Sequence, residues 1–183
     1  MKWALGIAGI IIALVLIVVV IGALLPQHHD ATRSAHIDAP PDSVWATLTD
    51  VASFPAWRHD VRRVEILPVA DGRRAWREHQ SDKPNDRGIA FEMTGASPPR
   101  HLVTRITDRG LPFGGEWEYD IAPDAGGSRV TIAEHGEIYN PVFRFVSRFV
   151  LGYTGTIDSY LGSLDRKWRG ATGDSRGVSV GRS

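Results

Sequence analysis

The sequence predicts an α+β domain: an antiparallel β-sheet covered on one face by a long C-terminal helix, with one transmembrane helix in front. Three observations carry this prediction. An uncharged run, Trp3–Leu25, opens the chain. Six stretches between residues 61 and 139 alternate apolar and polar side chains, with short turn signals between them. From Val142 to Trp168, large apolar residues recur at three- and four-residue steps.

Composition narrows the function classes. The chain has 183 residues, enough for one domain with a real core. Lys plus Arg number 21 and Asp plus Glu number 21, so the formal net charge is zero. That balance argues against a nucleic-acid partner, which needs a basic surface to hold phosphates. Arg58, Arg62 and Arg63 lie close together and read as a solvated face. No cysteine is present, so disulfides, thiolate zinc sites and cysteine nucleophiles are all excluded. The compartment stays open on this ground.

The opening run is "WALGIAGIIIALVLIVVVIGALL", 23 residues without a charge. As a helix it spans roughly 34 Å, against about 30 Å of bilayer hydrocarbon. It is too long for the apolar region of a cleavable signal, and "GALLPQHH" is a poor cleavage site. Residues 1–25 are therefore expected to be an uncleaved, single-pass signal anchor. The α-amine and Lys2 precede the span, and no Arg or Lys follows before Arg33. The positive-inside bias places the N-terminus in the cytoplasm and the domain on the outer side of the cell membrane.

Residues 26–32 are polar and read as a tether, with the domain over 33–169. Thr32–Asp38 alternates as a first strand. Pro40 and Pro41 end it and pre-set φ for a helix whose Val44, Trp45 and Leu48 share a face. "DVASFPAW" reads as a second short helix broken at Pro55, presenting Phe54 and Trp57. Six strands follow: Val61–Pro68, Arg73–Gln80, Gly88–Gly95, His101–Thr107, Glu116–Pro123 and Ser128–Tyr139. The gaps carry "ADG", "DKPND", "SPP", "DRGLPFGG" and "PDAGG", short enough for an antiparallel meander. On one phase lie Ile89, Phe91 and Met93, Trp117, Tyr119 and Ile121, and Val130 and Ile132. That apolar face must be covered. Asn140–Pro141 starts the cover, with Asn as N-cap and Pro at the first helical position. The apolar stripe through Phe145, Phe149, Tyr153, Ile157 and Leu164 predicts one amphipathic helix of roughly 28 residues to Trp168, weakened at Gly152 and Gly155. Residues 170–183 carry almost no large apolar side chain and read as a disordered tail.

With "HIDAPPDSVWATLTDVASFPAW" in front and "EHGEIYNPVFRFVSRFVLGYTGTIDSYLGSL" near the end, the chain resembles the START, Bet v 1 and polyketide-cyclase superfamily, often called SRPBCC. The late stretch looks like a bacterial subfamily with an N-terminal membrane anchor. The resemblance covers about residues 33–168. It implies a helix-grip fold, in which the sheet wraps the long helix and leaves a deep cavity. Relatives bind lipids, sterols, hormones or polyketide intermediates, and some are enzymes. Such a fold does not settle function.

Placed on that fold, Trp45, Phe54, Trp57, Phe91, Trp117, Tyr119, Phe145, Phe149 and Tyr153 would surround the cavity, although an aromatic stripe also serves as plain core. Glu134 shares the phase of Val130 and Ile132. Pointing inward, it would have a raised pKa and serve as an acid or an anchor, with Arg77 or His79 as partner. The other reading is a strand-end residue reaching solvent through a bulge near Gly136. Glu134 and His79 are the candidate general acid–base groups. Arg144 and Arg148 share a helical face and can pair with a carboxylate such as Glu137, meet an anionic ligand head, or be solvated. His28 and His29 beside Asp30 on a flexible tether lack zinc-site geometry. No Ser-His-Asp order, phosphate loop or HExxH is present, and no cofactor or metal is expected.

The expected function is a membrane-anchored binding protein for a lipid or other apolar small molecule. The alternatives are a cyclase/dehydrase-like enzyme and an envelope interaction protein with no ligand.

Overall fold

The computed structural model describes residues 2–68 and 72–175. It is an α+β fold of the helix-grip kind, with seven strands and five α-helices in its described residues. Helix α1, Lys2–Leu24, is apolar throughout Leu5–Leu24 and meets the length and composition needed to cross a membrane. Strand β1, His28–Ile37, follows almost at once. The expected tether therefore shrinks to a few residues. Residues 28–32 are paired strand because β7 is long enough to continue the ladder, with His28 opposite Glu137.

Helix α2, Pro41–Thr49, starts at the predicted proline and buries Val44, Thr47 and Leu48. A 3₁₀ turn, Val51–Ser53, leads into α3, Phe54–Trp57. Pro55 lies in the first turn of α3 and opens that helix rather than breaking it, since its missing N–H has no partner to lose there.

The strands β2 (Arg63–Leu67), β3 (Ala75–His79), β4 (Ile89–Ser97), β5 (His101–Ile106), β6 (Phe113–Asp124) and β7 (Gly127–Ile138) form one antiparallel sheet with β1, in the order β1-β7-β6-β5-β4-β3-β2. Each of the six meander strands overlaps its predicted stretch. The order closes the meander by laying β1 against the last strand, so β2 and β1 are the edges.

The covering helix departs from expectation. Asn140 caps as predicted, accepting from the backbone N–H of Val142 and Phe143. Helix α4, Pro141–Val146, then widens into a π turn, Ser147–Leu151, and stops at Gly152. Gly152 has φ 74° and ψ 179°, a conformation open almost only to glycine. Helix α5, Gly155–Ser175, resumes after this break. The single long helix is thus two, and the apolar stripe divides between them. Helix α5 continues through Ser175, so residues 170–175 of the expected tail are helical, and residues 176–183 lie outside the described residues.

The core sits where the sheet curls around α5. Ile157, Leu161 and Leu164 from α5 pack with Ile37, Val44, Leu102, Ile121, Val130 and Ile132. A smaller cluster of Val51, Phe54, Val61 and Trp76 lies under the α3 end. Between the two the concave face is not filled.

Candidate functional site

The unfilled space is a cavity of about 580 Å³, partly open to solvent. Its size falls within the roughly 300–1,000 Å³ typical of small-molecule sites. Inward residues of β3 to β7 form the wall: Trp76, Phe91, Thr104, Trp117 and Tyr119 among them. Helix α5 and the Gly152 break supply Tyr160, Tyr153 and Leu151. The break itself contributes to the wall, since Leu151, Gly152 and Tyr153 all line the cavity.

The wall also carries polar residues, Gln80, Thr104, Glu116 and Glu137 among them, and two polar clusters stand out. The first is Arg58, only 9% exposed. Its Nη1 donates to Glu78 Oε1 at 3.0 Å, and its Nη2 donates to Asp60 Oδ2 at 2.6 Å. Glu78 Oε1 also accepts from the Trp76 indole at 2.9 Å. The guanidinium lies over the rings of Phe54 and Tyr160, 5.0 and 4.9 Å from their centroids. Burial opposes the charge on Arg58, but Glu78 and Asp60 outweigh it and hold the pKa above the ordinary value. For Asp60 burial pushes upward, yet the hydrogen bond and charge of Arg58 pull its carboxyl below the usual range. Tyr119 and Tyr160 stand beside this cluster, and burial pushes the Tyr119 hydroxyl up to about 12. Burial raises Tyr160 further, so both phenols stay protonated and can donate a hydrogen bond at neutral pH.

The second is Glu134, opposite Trp117 in the β6–β7 ladder. It points inward, and β7 runs through Gly136 paired on both sides, so no bulge carries the carboxyl to solvent. Burial raises its pKa, and the Trp117 indole tempers the shift. One oxygen, Oε2, is buried without a hydrogen-bond partner in the described residues. Its neighbour is His29, whose Nε2 lies 3.5 Å from Oε1 and whose ring stacks on Tyr153 at 4.1 Å. Burial lowers the His29 pKa, partly offset by Asp30. Burial thus shifts both members of the pair in the direction of their neutral forms.

The predicted site residues divide. Phe54, Phe91, Trp117, Tyr119, Tyr153 and Glu134 line the cavity. Trp45 packs on the main core instead and does not line the cavity. Trp57 is core as well, edge-on to Phe54 and Tyr160 with its indole nitrogen buried. Phe145 and Phe149 contact each other with ring centroids 4.9 Å apart and planes tilted by 50°, and Phe149, on the π turn, faces outward. His79 is buried but on the outer face of β3, near Glu65 and Asp86. Arg77 shares that face and grips Asp108 with two hydrogen bonds at 2.9 and 3.0 Å. Neither meets Glu134. Arg58 is buried rather than part of a solvated face, and Arg144 is buried as well, donating to the Leu25 carbonyl at 2.8 Å.

Sequence reasoning missed Arg58, Glu78 and His29. The phase of Glu78 was available: it alternates with Trp76, whose bulk marks the inward side of β3. His29 became visible only once β1 was known to begin at His28.

A pH test follows from Glu134. A pKa raised above its ordinary 4.5 means the stabilisation is complete below 4.5 and lost as pH rises through the folded value. Gln cannot ionise. Thermal denaturation should therefore show Glu134→Gln gaining on the parent as pH climbs, with no such trend below about pH 4.5. A difference constant across pH would place the carboxylate in water.

Comparison with known proteins agrees with this architecture. The family described as "Polyketide cyclase / dehydrase and lipid transport" matches residues 28–168. No curated protein matches the chain in sequence. Among solved structures, TTHA0849 from Thermus thermophilus is similar at a TM-score of 0.64 and 17% identity, covering 78% of this chain and 99% of that one. The Zhui aromatase/cyclase from Streptomyces sp. R1128 gives 0.62 and 13%, covering 78% and 94%. A START superfamily protein from Mycobacterium smegmatis gives 0.59 and 14%, covering 78% and 99%. At such identities these likenesses speak for the fold alone.

Proposed function

The chain belongs to the polyketide cyclase/dehydrase and lipid transport family, and from that premise we propose that it is a membrane-anchored binding protein for a lipid or other apolar small molecule bearing at least one polar group. The observation that carries this reading is the cavity: a wall rich in aromatic and apolar side chains, with polar clusters at Arg58 and at Glu134. Burying the ligand body supplies about 25 cal/mol per Å² of apolar surface. The two polar points fix its orientation, since a carbonyl or hydroxyl placed on either avoids the penalty of an unmatched buried group. Helix α1 keeps the domain beside a reservoir of apolar molecules.

A second reading is supported by the Glu134–His29 pair. With burial shifting Glu134 toward its protonated form and His29 toward its neutral one, the pair can give and take a proton in the dehydration or cyclisation of a bound carbonyl compound. The proton leaving Glu134 would go to the departing hydroxyl, and His29 would accept one from the adjacent carbon.

Binding is tested on the full chain in nanodiscs of synthetic lipid, titrated with a fluorescent fatty acid. Saturable uptake at one probe per chain, above that of protein-free discs, is the expected result. Uptake no greater than that of protein-free discs would overturn the binding reading.

A further inference from the structure

We propose that Pro141–Leu151 is a second membrane contact, which seats the mouth of the cavity in the bilayer surface and lets ligand pass between hydrocarbon and cavity. This rests on the reading of α1 as a membrane span. Helix α4 lies along the last turns of α1, not beyond its end. A Cβ on Gly22 would run into the Pro141 carbonyl, so the two backbones touch. Val18 and Val19 are part-shielded, and the Arg144 guanidinium closes the end of the helix on Leu25. Val18 to Leu25 is about 10 Å of helix at 1.5 Å per residue. Helix α4 therefore shares the depth of the final third of the apolar span.

The outward side of the segment suits that depth. Phe143 is 53% exposed, Phe149 60%, and Val150 and Leu151 each 70%. Nothing in the described residues covers them, and a soluble surface rarely leaves such a patch bare. The patch continues the exposed face of α1 through Ile21 and Leu24. Arg148 stands exposed among these residues, where a basic side chain meets lipid phosphate. Phe143 and Leu151 also line the cavity, as do Pro112–Gly115, and the exposure of Phe143, Leu151 and Phe113 puts an opening of the cavity at these residues. The opening thus lies within the patch, and a molecule leaving it enters lipid rather than water. Continuity with α1 favours the bilayer over a protein partner as occupant.

The absence of cysteine makes the test direct, since any introduced thiol is unique. Phe149→Cys and Leu151→Cys, each labelled with an environment-sensitive dye, are placed as full chains in nanodiscs containing spin-labelled lipid. Leu24→Cys marks the bilayer, and Arg100→Cys marks the opposite end of the sheet, beside the β4–β5 turn. The expected result is blue-shifted emission at 149 and 151, with quenching by spin-labelled lipid that matches Leu24→Cys. No shift and no quenching, as at Arg100→Cys, would overturn the proposal. So would a blue shift without lipid quenching, which means a protein covers the patch. Loss of quenching at Leu24→Cys as well would remove the membrane span itself. Quenched labels with no fatty-acid uptake would leave the contact standing and remove the binding reading. Water-exposed labels with normal uptake would do the reverse. As a second variant, Phe149→Asp/Val150→Asp, at two exposed positions outside the cavity lining, should slow transfer of the fatty acid from vesicles while leaving its final occupancy unchanged. Unchanged transfer would overturn the proposed route.

Discussion

Arg58→Ala is expected to lower the unfolding free energy by about 3–5 kcal/mol, the usual cost of removing one partner from a buried ion pair. The cost arises less from the lost attraction than from what remains. Glu78 is 7% exposed, and without Arg58 it keeps the hydrogen bond from the Trp76 indole as its compensation for burial. A buried carboxylate short of partners is expensive. The rings of Phe54 and Tyr160 also lose the cation stacked over them. Arg58→Met/Glu78→Gln, which removes both charges and keeps volume, should recover most of the loss. A second signature lies in acid. Arg58 holds the Asp60 pKa below its ordinary 3.8 against the opposing effect of burial. A depressed pKa contributes stability that is present above 3.8 and lost as pH falls through the folded value. That acid-side loss should be present in the parent and absent in Arg58→Ala. Denaturant titrations across pH measure both effects. A single variant no less stable than the parent would mean that water reaches the Arg58–Glu78 pair freely.

The fold was legible because its signals are periodic. Val130, Ile132 and Glu134 share a phase, and the phase survives folding, so the inward orientation of Glu134 was one of the two that the sequence offered, beside a strand end reaching solvent. The meander could be read because each gap holds a turn signal and spans few residues. What escaped is what periodicity does not encode. Arg58 follows a four-residue helix, and nothing in its neighbours distinguishes it from Arg62, which is exposed and pairs with Asp82. Its burial depends on Glu78, twenty residues away, arriving on the inward phase of β3. The single C-terminal helix failed for a related reason. An apolar stripe at helical spacing runs on through Gly152, yet one residue with positive φ divides it. The stripe before the break then faces outward and the stripe after it faces the core, which moved Phe149 from the expected lining to the surface. His29 was hidden by polarity: "QHHDAT" resembles a tether until β7 offers it a partner strand.

Filling the cavity should abolish binding without destabilising the domain. Ile89 and Ile106 enter the space from adjacent strands, with Phe91 opposite Ile106 in the ladder. Ile89→Phe/Ile106→Trp adds aromatic volume where no side chain now sits. In a core already packed to crystal density such enlargement costs about 1–3 kcal/mol. In an open cavity it costs nothing of that kind, and the added apolar contact stabilises. The expected outcome is an unfolding midpoint equal to or above the parent's. Affinity for the fluorescent fatty acid should fall by at least about 100-fold, two steps of 1.4 kcal/mol. The pairing of the two readouts separates the candidate functions. Lost binding with retained stability requires a real void that a ligand occupies. A strongly destabilised double variant would mean that the concave face closes in solution, which favours an inert core. Intact affinity with retained stability would place the bound molecule elsewhere, on the outward side of Pro141–Leu151, and would make that segment the binding surface rather than the rim of one.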